Sequence, residues 1–442
     1  MNPGVLYRRW NYIQHISPLH SPRLRALVHS ALLTRLALAL RFLSTFSLLM
    51  FSVSAVAEPH AEGELQLQGR WFAHEGYAGQ KRFQPSLAFR GELVLNPTDA
   101  DQFVFSPFFR VDQEDASRTH ADVRELYWNH VEDRWELSVG VRQVFWGVTE
   151  FHHLVDIINQ TDLVENIDDE DGLGQPMIQL SLVRDWGIVD LFLLTGSRER
   201  TFAGRDGRLA FPIKIDTRRA TYESAAEERR LDGAVRWSAS LGGLELAVHH
   251  FSGTGRDPEF RINSDGSRLV PHYNVIDQTG VDAQYLTGNW AFKLEALTRT
   301  GDGDRYEAFV AGFERTLVGV FDSDVDVGVV MEYLYDERDE LAFNTIFEHD
   351  LALGARLALN DANESNALVG LIWDTDTGER VFSVEAERQL GEDWSLRMEA
   401  RAFSGSRRVP NDQPLRALTD LDHRAGFLER EDFLQLELTR YF

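Results

Sequence analysis

The sequence predicts an all-β fold, an antiparallel transmembrane β-barrel of about eighteen strands, sixteen being possible. Three observations predict it. Segments of about ten residues alternate apolar and polar side chains along most of the chain. Turn-like connections and long connections take turns between those segments. The final residues form one more such segment, which ends on the aromatic residue Phe442.

The segment before the alternation is different. Residues 1–57 hold no Asp or Glu, carry Arg8, Arg9, Arg23, Arg25, Arg35 and Arg41, and end in the apolar run FLSTFSLLMFSVSAVA. Ala55-Val56-Ala57 before Glu58 has the small residues of a signal-peptidase site, so 1–57 is expected to be an export signal. Arg35 and Arg41 interrupt its apolar stretch, which places the expected start of translation downstream of Met1, near Val28. The uninterrupted run is shorter than the ~20 residues of a spanning helix. The remainder, 58–442, is expected to be a single barrel domain. Without the six arginines of the signal, 39 Lys and Arg face 70 Asp and Glu, a formal charge of −31. That balance argues against nucleic acid as a partner. The absence of cysteine rules out a disulfide-stapled fold.

Strand-like segments begin near residues 63, 83, 102, 119, 134, 174, 187, 229, 243, 272, 289, 304, 323, 343, 365, 379, 393 and 430. In the second, Phe83, Leu87, Phe89, Leu93 and Leu95 share a face opposite Gln84, Ser86, Arg90 and Glu92. In the third, Phe103, Phe105, Phe109 and Val111 oppose Gln102, Ser106 and Arg110. Trp135, Leu137, Val139 and Val141 oppose Glu136, Ser138 and Arg142 in the fifth. The segments from 323 and 393 repeat the pattern, with Trp394, Leu396, Met398, Ala400 and Ala402 opposite Ser395, Arg397, Glu399 and Arg401. A soluble sandwich also alternates, but it has little use for so many charges on successive strands, and its strands are shorter than the ~9–11 residues that cross a bilayer. Aromatic residues gather near strand ends, at Trp71-Phe72, Tyr127-Trp128, Trp290 and Trp394, as an interfacial girdle requires. Even-numbered segments end in NPTDAD, VEDR, RDWG, LGG, TGN, FDSD, NDANES and LGED, all turn-like. The long connections, 148–173, 197–228, 254–271 and 406–429, all follow odd-numbered segments. Short turns on the periplasmic side and long loops outside are the asymmetry of outer-membrane barrels.

The closing segment, FLQLELTRYF, alternates Leu434, Leu436 and Leu438 against Gln435, Glu437 and Thr439 before Phe442. It resembles the last strand of Gram-negative outer-membrane barrels, whose terminal aromatic residue is a signal to the assembly machinery. The resemblance covers the whole chain after the signal and implies residence in the cell outer membrane. More narrowly, the size, the lumen-facing arginines and the strand end RQVFWG resemble porin families that include phosphate-selective and alginate-export channels.

RQVFWGVTEFHHLVDIINQTDLVE, 142–165, breaks the alternation. Phe151, Leu154, Val155 and Ile158 recur at helical spacing, Thr149 is placed to cap, and the opposite face carries His152, His153, Asp156 and Gln160. The expectation is a short amphipathic helix that folds into the lumen, lays its apolar face on the wall and narrows the passage. The candidate constriction residues are Trp146, Glu150, His152, His153, Asp156, Gln160 and Asp162. The alternative is a helix packed on the rim or among other loops.

The candidate lumen lining is Arg90, Arg110, Glu136, Arg142, Arg236, Arg397, Glu399 and Arg401. The arginines are placed to form an anion-attracting stripe, or simply to pair with acids on the same faces. The Arg-rich loop 196–230 is placed to cover the mouth or to touch lipopolysaccharide phosphates. His152 and Asp156 are one helical turn apart, but a structural metal site wants three or four ligands. His249 and His250 point to opposite faces of a strand. The acidic stretches NIDDEDG, GDGD and DTDTGE are candidate Ca²⁺ loops that lack the EF-hand pattern, and otherwise no cofactor is expected. No Gly-x-Ser-x-Gly, His-Glu-x-x-His or phosphate-cradling Gly loop occurs, so an enzyme is not expected. The first strand is expected about five residues after the expected cleavage site, so no plug, passenger or periplasmic domain is expected between them. What these readings lead to is a channel for passive diffusion of small hydrophilic solutes, with outer-membrane lipid, lipopolysaccharide and the assembly machinery as partners. The competing expectation is a non-conducting barrel that acts through its outer loops as an adhesin, receptor or assembly factor.

Overall fold

A computed structural model describes residues 59–442 apart from 339–346, 408, 411–412, 415 and 417–420. The expected export signal, 1–57, and the start expected near 343 for the fourteenth strand lie outside the described residues. Eighteen antiparallel strands form one closed sheet. They are β1 (Pro59–Phe72), β2 (Phe83–Leu95), β3 (Asp101–Asp112), β4 (His120–Glu132), β5 (Trp135–Arg142), β6 (Gln175–Arg184), β7 (Gly187–Thr195), β8 (Leu231–Leu241) and β9 (Leu244–Thr254). The ring continues with β10 (Val275–Thr287), β11 (Trp290–Thr300), β12 (Tyr306–Leu317), β13 (Asp326–Asp336), β14 (His349–Ala358), β15 (Asn366–Asp374), β16 (Arg380–Gln389), β17 (Trp394–Ser404) and β18 (Phe433–Tyr441). Each strand pairs with its neighbours in chain order, and β18 pairs with β1 to close the ring, with Leu67 opposite Leu438. At the end of this seam Gly63 and Phe442 exchange both backbone hydrogen bonds at 2.9 Å. The terminal ring lies over Gly63, where a Cβ would stand 2.6 Å from it.

Alternation sets the two faces. On β1, Leu65, Leu67 and Trp71 point outward and are exposed, while Gln66, Gln68 and Arg70 point inward and are buried. On β18, Leu434 and Leu436 are outside, and Gln435, Glu437 and Thr439 inside. An apolar exterior around a polar interior is the inverse of a water-soluble core, and only a closed ring satisfies every backbone group in hydrocarbon. The molecule is therefore an all-β transmembrane barrel. Trp135, Trp290 and Trp394 begin their strands at the same rim, and Trp186 sits in a turn there, which is the girdle position. Tyr127, expected in the girdle, instead faces inward beneath the Arg142 guanidinium, because adjacent strand residues point opposite ways.

At the girdle rim the connections are short, with residues 133–134, 185–186, 242–243 and 288–289 as two-residue turns. Gly242 and Gly288 hold φ of +68° and +58° there, the conformation such hairpins demand. At the other rim lie 143–174, 196–230, 255–274 and 405–432. One irregularity matters for the lumen. Between β3 and β4 the register passes from Ser106 opposite Glu125 to Pro107 opposite Val123, leaving Arg124 unpaired. This bulge adds an inward side chain to β4.

The helix expected over 150–160 does not form. Residues 143–174 run as extended chain and turns, with Gln160–Thr161 paired to Gly172–Leu173. The backbone N–H groups of 148–151 and of 155 are taken by carboxylates of the barrel wall, and that of 155 is one a helix would have bonded internally.

Candidate pore and its folded loop

Loop 143–174 leaves the rim, turns inward and meets the inner wall on nearly every side. Its base is fixed by Asn159, which donates to Arg142 O at 3.0 Å and to Leu173 O at 2.8 Å and accepts from Val144 N at 2.8 Å. Trp146, Val155, Ile157 and Ile158 pack on Met177, Phe192, Leu194, Phe251 and Ile276 of β6, β7, β9 and β10. Phe151 and Leu154 pack elsewhere, on Val310, Leu334 and Ala352 of β12, β13 and β14. The four residues expected on one apolar face are thus divided between two walls, because an extended backbone sends neighbours to opposite sides.

Beyond Asn159 the loop turns toward β1–β4, where charge holds it. Asp162 is fully buried and is bonded by Arg124, the bulge residue, and by the Thr201 hydroxyl. The Arg110 Nε donates to Glu165 Oε2 at 2.7 Å. Arg70 and Arg118 donate to the carbonyl of Glu165 at 2.9 and 3.3 Å. Burial disfavours the Glu165 charge, but Arg110, Arg118 and His120 outweigh it and hold this carboxyl at about 2. Farther on, Asp168 accepts from Arg401 at 3.0 Å, and Asn166 donates to Glu399 at 3.2 Å. Burial pushes Asp168 up, Arg401 opposes, and Glu170 and Glu399 add to the rise, leaving it at about 7. Asp156 is pushed up to about 8, chiefly by burial, against the hydrogen bond from Trp146 N.

The other constriction candidates are spread along the same loop. Trp146 is buried between Phe192 and His249, with Arg236 over its ring at 5.2 Å. The Glu150 carboxylate meets Arg356 and, at 3.7 Å, Lys293. His152 stands edge-on to Phe347, and His153 edge-on to Phe145 at 4.7 Å, where burial lowers its pKa. Gln160 is buried and accepts from Arg200. Between loop and wall lies a cavity of about 260 Å³, bordered by Leu154, Asp156, Asp168, Arg256, Arg299 and Arg401.

The lumen arginines do not form one stripe. Each has an acid within 4 Å: Arg90 with Glu64 at 3.6, Arg110 with Glu165 at 2.7, Arg142 with Glu136 at 3.9, Arg236 with Asp282 at 2.8, Arg397 with Glu387 at 3.4 and Arg401 with Glu399 at 2.7 Å. Of these candidates, Arg110 and Arg401 pair with acids of the loop, Glu399 accepts from its Asn166, and Arg236 lies over its Trp146. His249 is buried inside and His250 exposed outside, as their strand parity requires. Among the described residues no three His, Asp or Glu side chains converge as metal ligands.

Sequence reasoning missed Arg70, Arg118, Arg124, Glu295 and Glu332. Glu295 and Glu332 are fully buried and hold the loop by its backbone. Their inward parity was readable, since they alternate with outward Leu294, Ala296, Met331 and Tyr333. Arg124 breaks parity through the bulge, and nothing local announces it. Over the mouth, loop 196–230 reaches across to the last long connection, where Arg208 pairs with Glu431 at 3.0 Å and both are buried.

No protein-family model matches the chain, and no curated protein matches it. Solved structures similar to it include a mutant of the porin of Rhodopseudomonas blastica, 12% identical over 87% of this chain and 100% of that one, with a TM-score of 0.43. OpdQ of Pseudomonas aeruginosa is 11% identical over 87% of this chain and 97% of that one, with a TM-score of 0.46.

Proposed function

We propose that this chain is an outer-membrane, porin-like channel through which small hydrophilic solutes diffuse passively. The observation that carries the reading is the loop 143–174 lying inside a closed barrel whose inner wall is charged, so that bore and charge are set together. A pore of this kind selects by constriction and by the field of its lining. An apolar exterior suits a bilayer, and the terminal Phe442 suits recognition by the assembly machinery. Lipopolysaccharide phosphates are the natural contacts of the exposed arginines on the long loops, such as Arg218 and Arg229. Catalysis forms no part of the reading.

The test is single-channel current across a planar bilayer, with a salt gradient to read the reversal potential. Steady current steps are expected. The sign of the potential reports whether acids or arginines dominate the lining. Silence in repeated, oriented insertions of folded protein would overturn the reading and move the function to the outer loops.

A further inference from the structure

Loop 143–174 is held in two separable places. Its base and return are fixed on β1–β10 and β17, by the apolar cluster around Ile158 and by the ion pairs of Asp162, Glu165 and Asp168. Its tip, residues 147–151, has crossed to the far wall. There two carboxylates receive it. Glu295 of β11 accepts from Val148 N at 2.6 Å, from Thr149 N at 2.9 Å and from the Thr149 hydroxyl at 2.6 Å, and its other oxygen accepts from Val155 N at 3.1 Å. Glu332 of β13 accepts from Glu150 N at 2.7 Å and from Phe151 N at 3.0 Å, one bond to each oxygen. Neither carboxylate has an ion-pair partner among the described residues. Backbone N–H groups are therefore their chief compensation for burial, and a buried acid stripped of donors is costly.

The wall is also shaped for the tip. Gly354 of β14 and Gly370 of β15 are direct cross-strand partners. Glycine inside a strand weakens it and often marks a close approach. Here the Phe151 ring fills the gap, and a Cβ on either glycine would stand 2.7 Å from it. Gly147 holds φ +147°, and a Cβ there would stand 3.0 Å from Glu295 Oε1, so glycine lets the backbone come down onto the carboxylate.

We propose that Phe151 seated on Gly354 and Gly370, with Glu295 and Glu332 beneath the adjoining backbone, is a latch that positions the loop tip and so fixes the bore. The inference rests on the channel reading for its consequence, while the latch itself is a separate matter of geometry. Glu295, Glu332 and Phe151 are positioning residues. Releasing the tip leaves the base in place, so the barrel stays folded while the passage widens and fluctuates.

The absence of cysteine from the chain gives a clean test. Phe151→Ala and the double variant Phe151→Cys/Gly370→Cys are inserted into planar bilayers, the latter before and after bridging with a short, reducible bis-methanethiosulfonate. Current steps about 1.5-fold or more above the parent, with added open-channel noise, are expected for Phe151→Ala and the unbridged pair. Bridging is expected to restore the parent step and quiet, and reduction to undo it, a readout that general destabilisation would not give. Steps and noise equal to the parent in both variants, or smaller steps, would overturn the latch. If the parent itself carries no current, the channel reading fails. The latch is then judged by bridging yield in intact protein: efficient bridging upholds it, and none overturns it.

Discussion

Glu165 shows how a single side chain can hold a loop inside a barrel. It faces Arg110, Arg118 and His120, and its carbonyl serves Arg70 and Arg118. Glu165→Ala leaves Arg110 and Arg118 buried without that charge, a loss of about 3–5 kcal/mol by the usual cost of breaking a buried pair. Hydrogen exchange at the amides of 160–168 is expected to quicken by about a hundredfold or more, and an unchanged rate would refute the assignment. Because the Glu165 carboxyl sits at about 2, below its ordinary range, its contribution is present above about pH 4.5 and lost as pH falls toward 2. Asp168 and Asp156 have the opposite sign. Raised to about 7 and about 8, they are neutral in mild acid and gain charge as pH rises; the stability that their neutral forms contribute is full below about pH 4 and is lost as pH rises toward those values. The lumen becomes more negative as they ionise. The reversal potential in a salt gradient is therefore expected to move toward cation preference between about pH 6 and pH 9. A potential flat across that range would count against both groups lining the passage.

At the scale of elements, the strands were legible and the loop was not. A period of two with lipid on one side constrains every residue of a strand, so faces such as Phe103/Phe105 against Ser106/Arg110 can be read from ten residues of sequence. The path of 143–174 depends on Glu295, Glu332, Gly354 and Gly370, which lie more than a hundred residues away along the chain. Local spacing of Phe151, Leu154, Val155 and Ile158 suggested a helix because no local signal records those distant acceptors. The arginines were legible as inward-facing. Their division into pairs along the wall was not, since it turns on which strands neighbour one another and on the bulge that presents Arg124. Deleting 150–160 removes the tip together with Asn159 while leaving the Asp162 and Glu165 attachments. Larger conductance steps with an unchanged heat-modifiable gel mobility are the expected outcome, and equal steps would show that the narrowest point lies elsewhere.

For the whole molecule, the seam between β1 and β18 is decisive. Removing Phe442 uncovers Gly63 and Phe89 and takes away the two closing backbone bonds. The yield of heat-modifiable barrel in membranes is expected to fall, while protein refolded in detergent keeps the strand content seen by circular dichroism. Equal yields in membranes would deny the terminal residue its role. The seam also governs the order of events during synthesis. The first and last strands are separated by nearly the entire chain, so the contact that completes the ring is the one of longest sequence separation and among the slowest to find. Until the final residues exist, both ends of the sheet are open edges of the kind that aggregate. The ring of such a chain is expected to close only once its last strand is available.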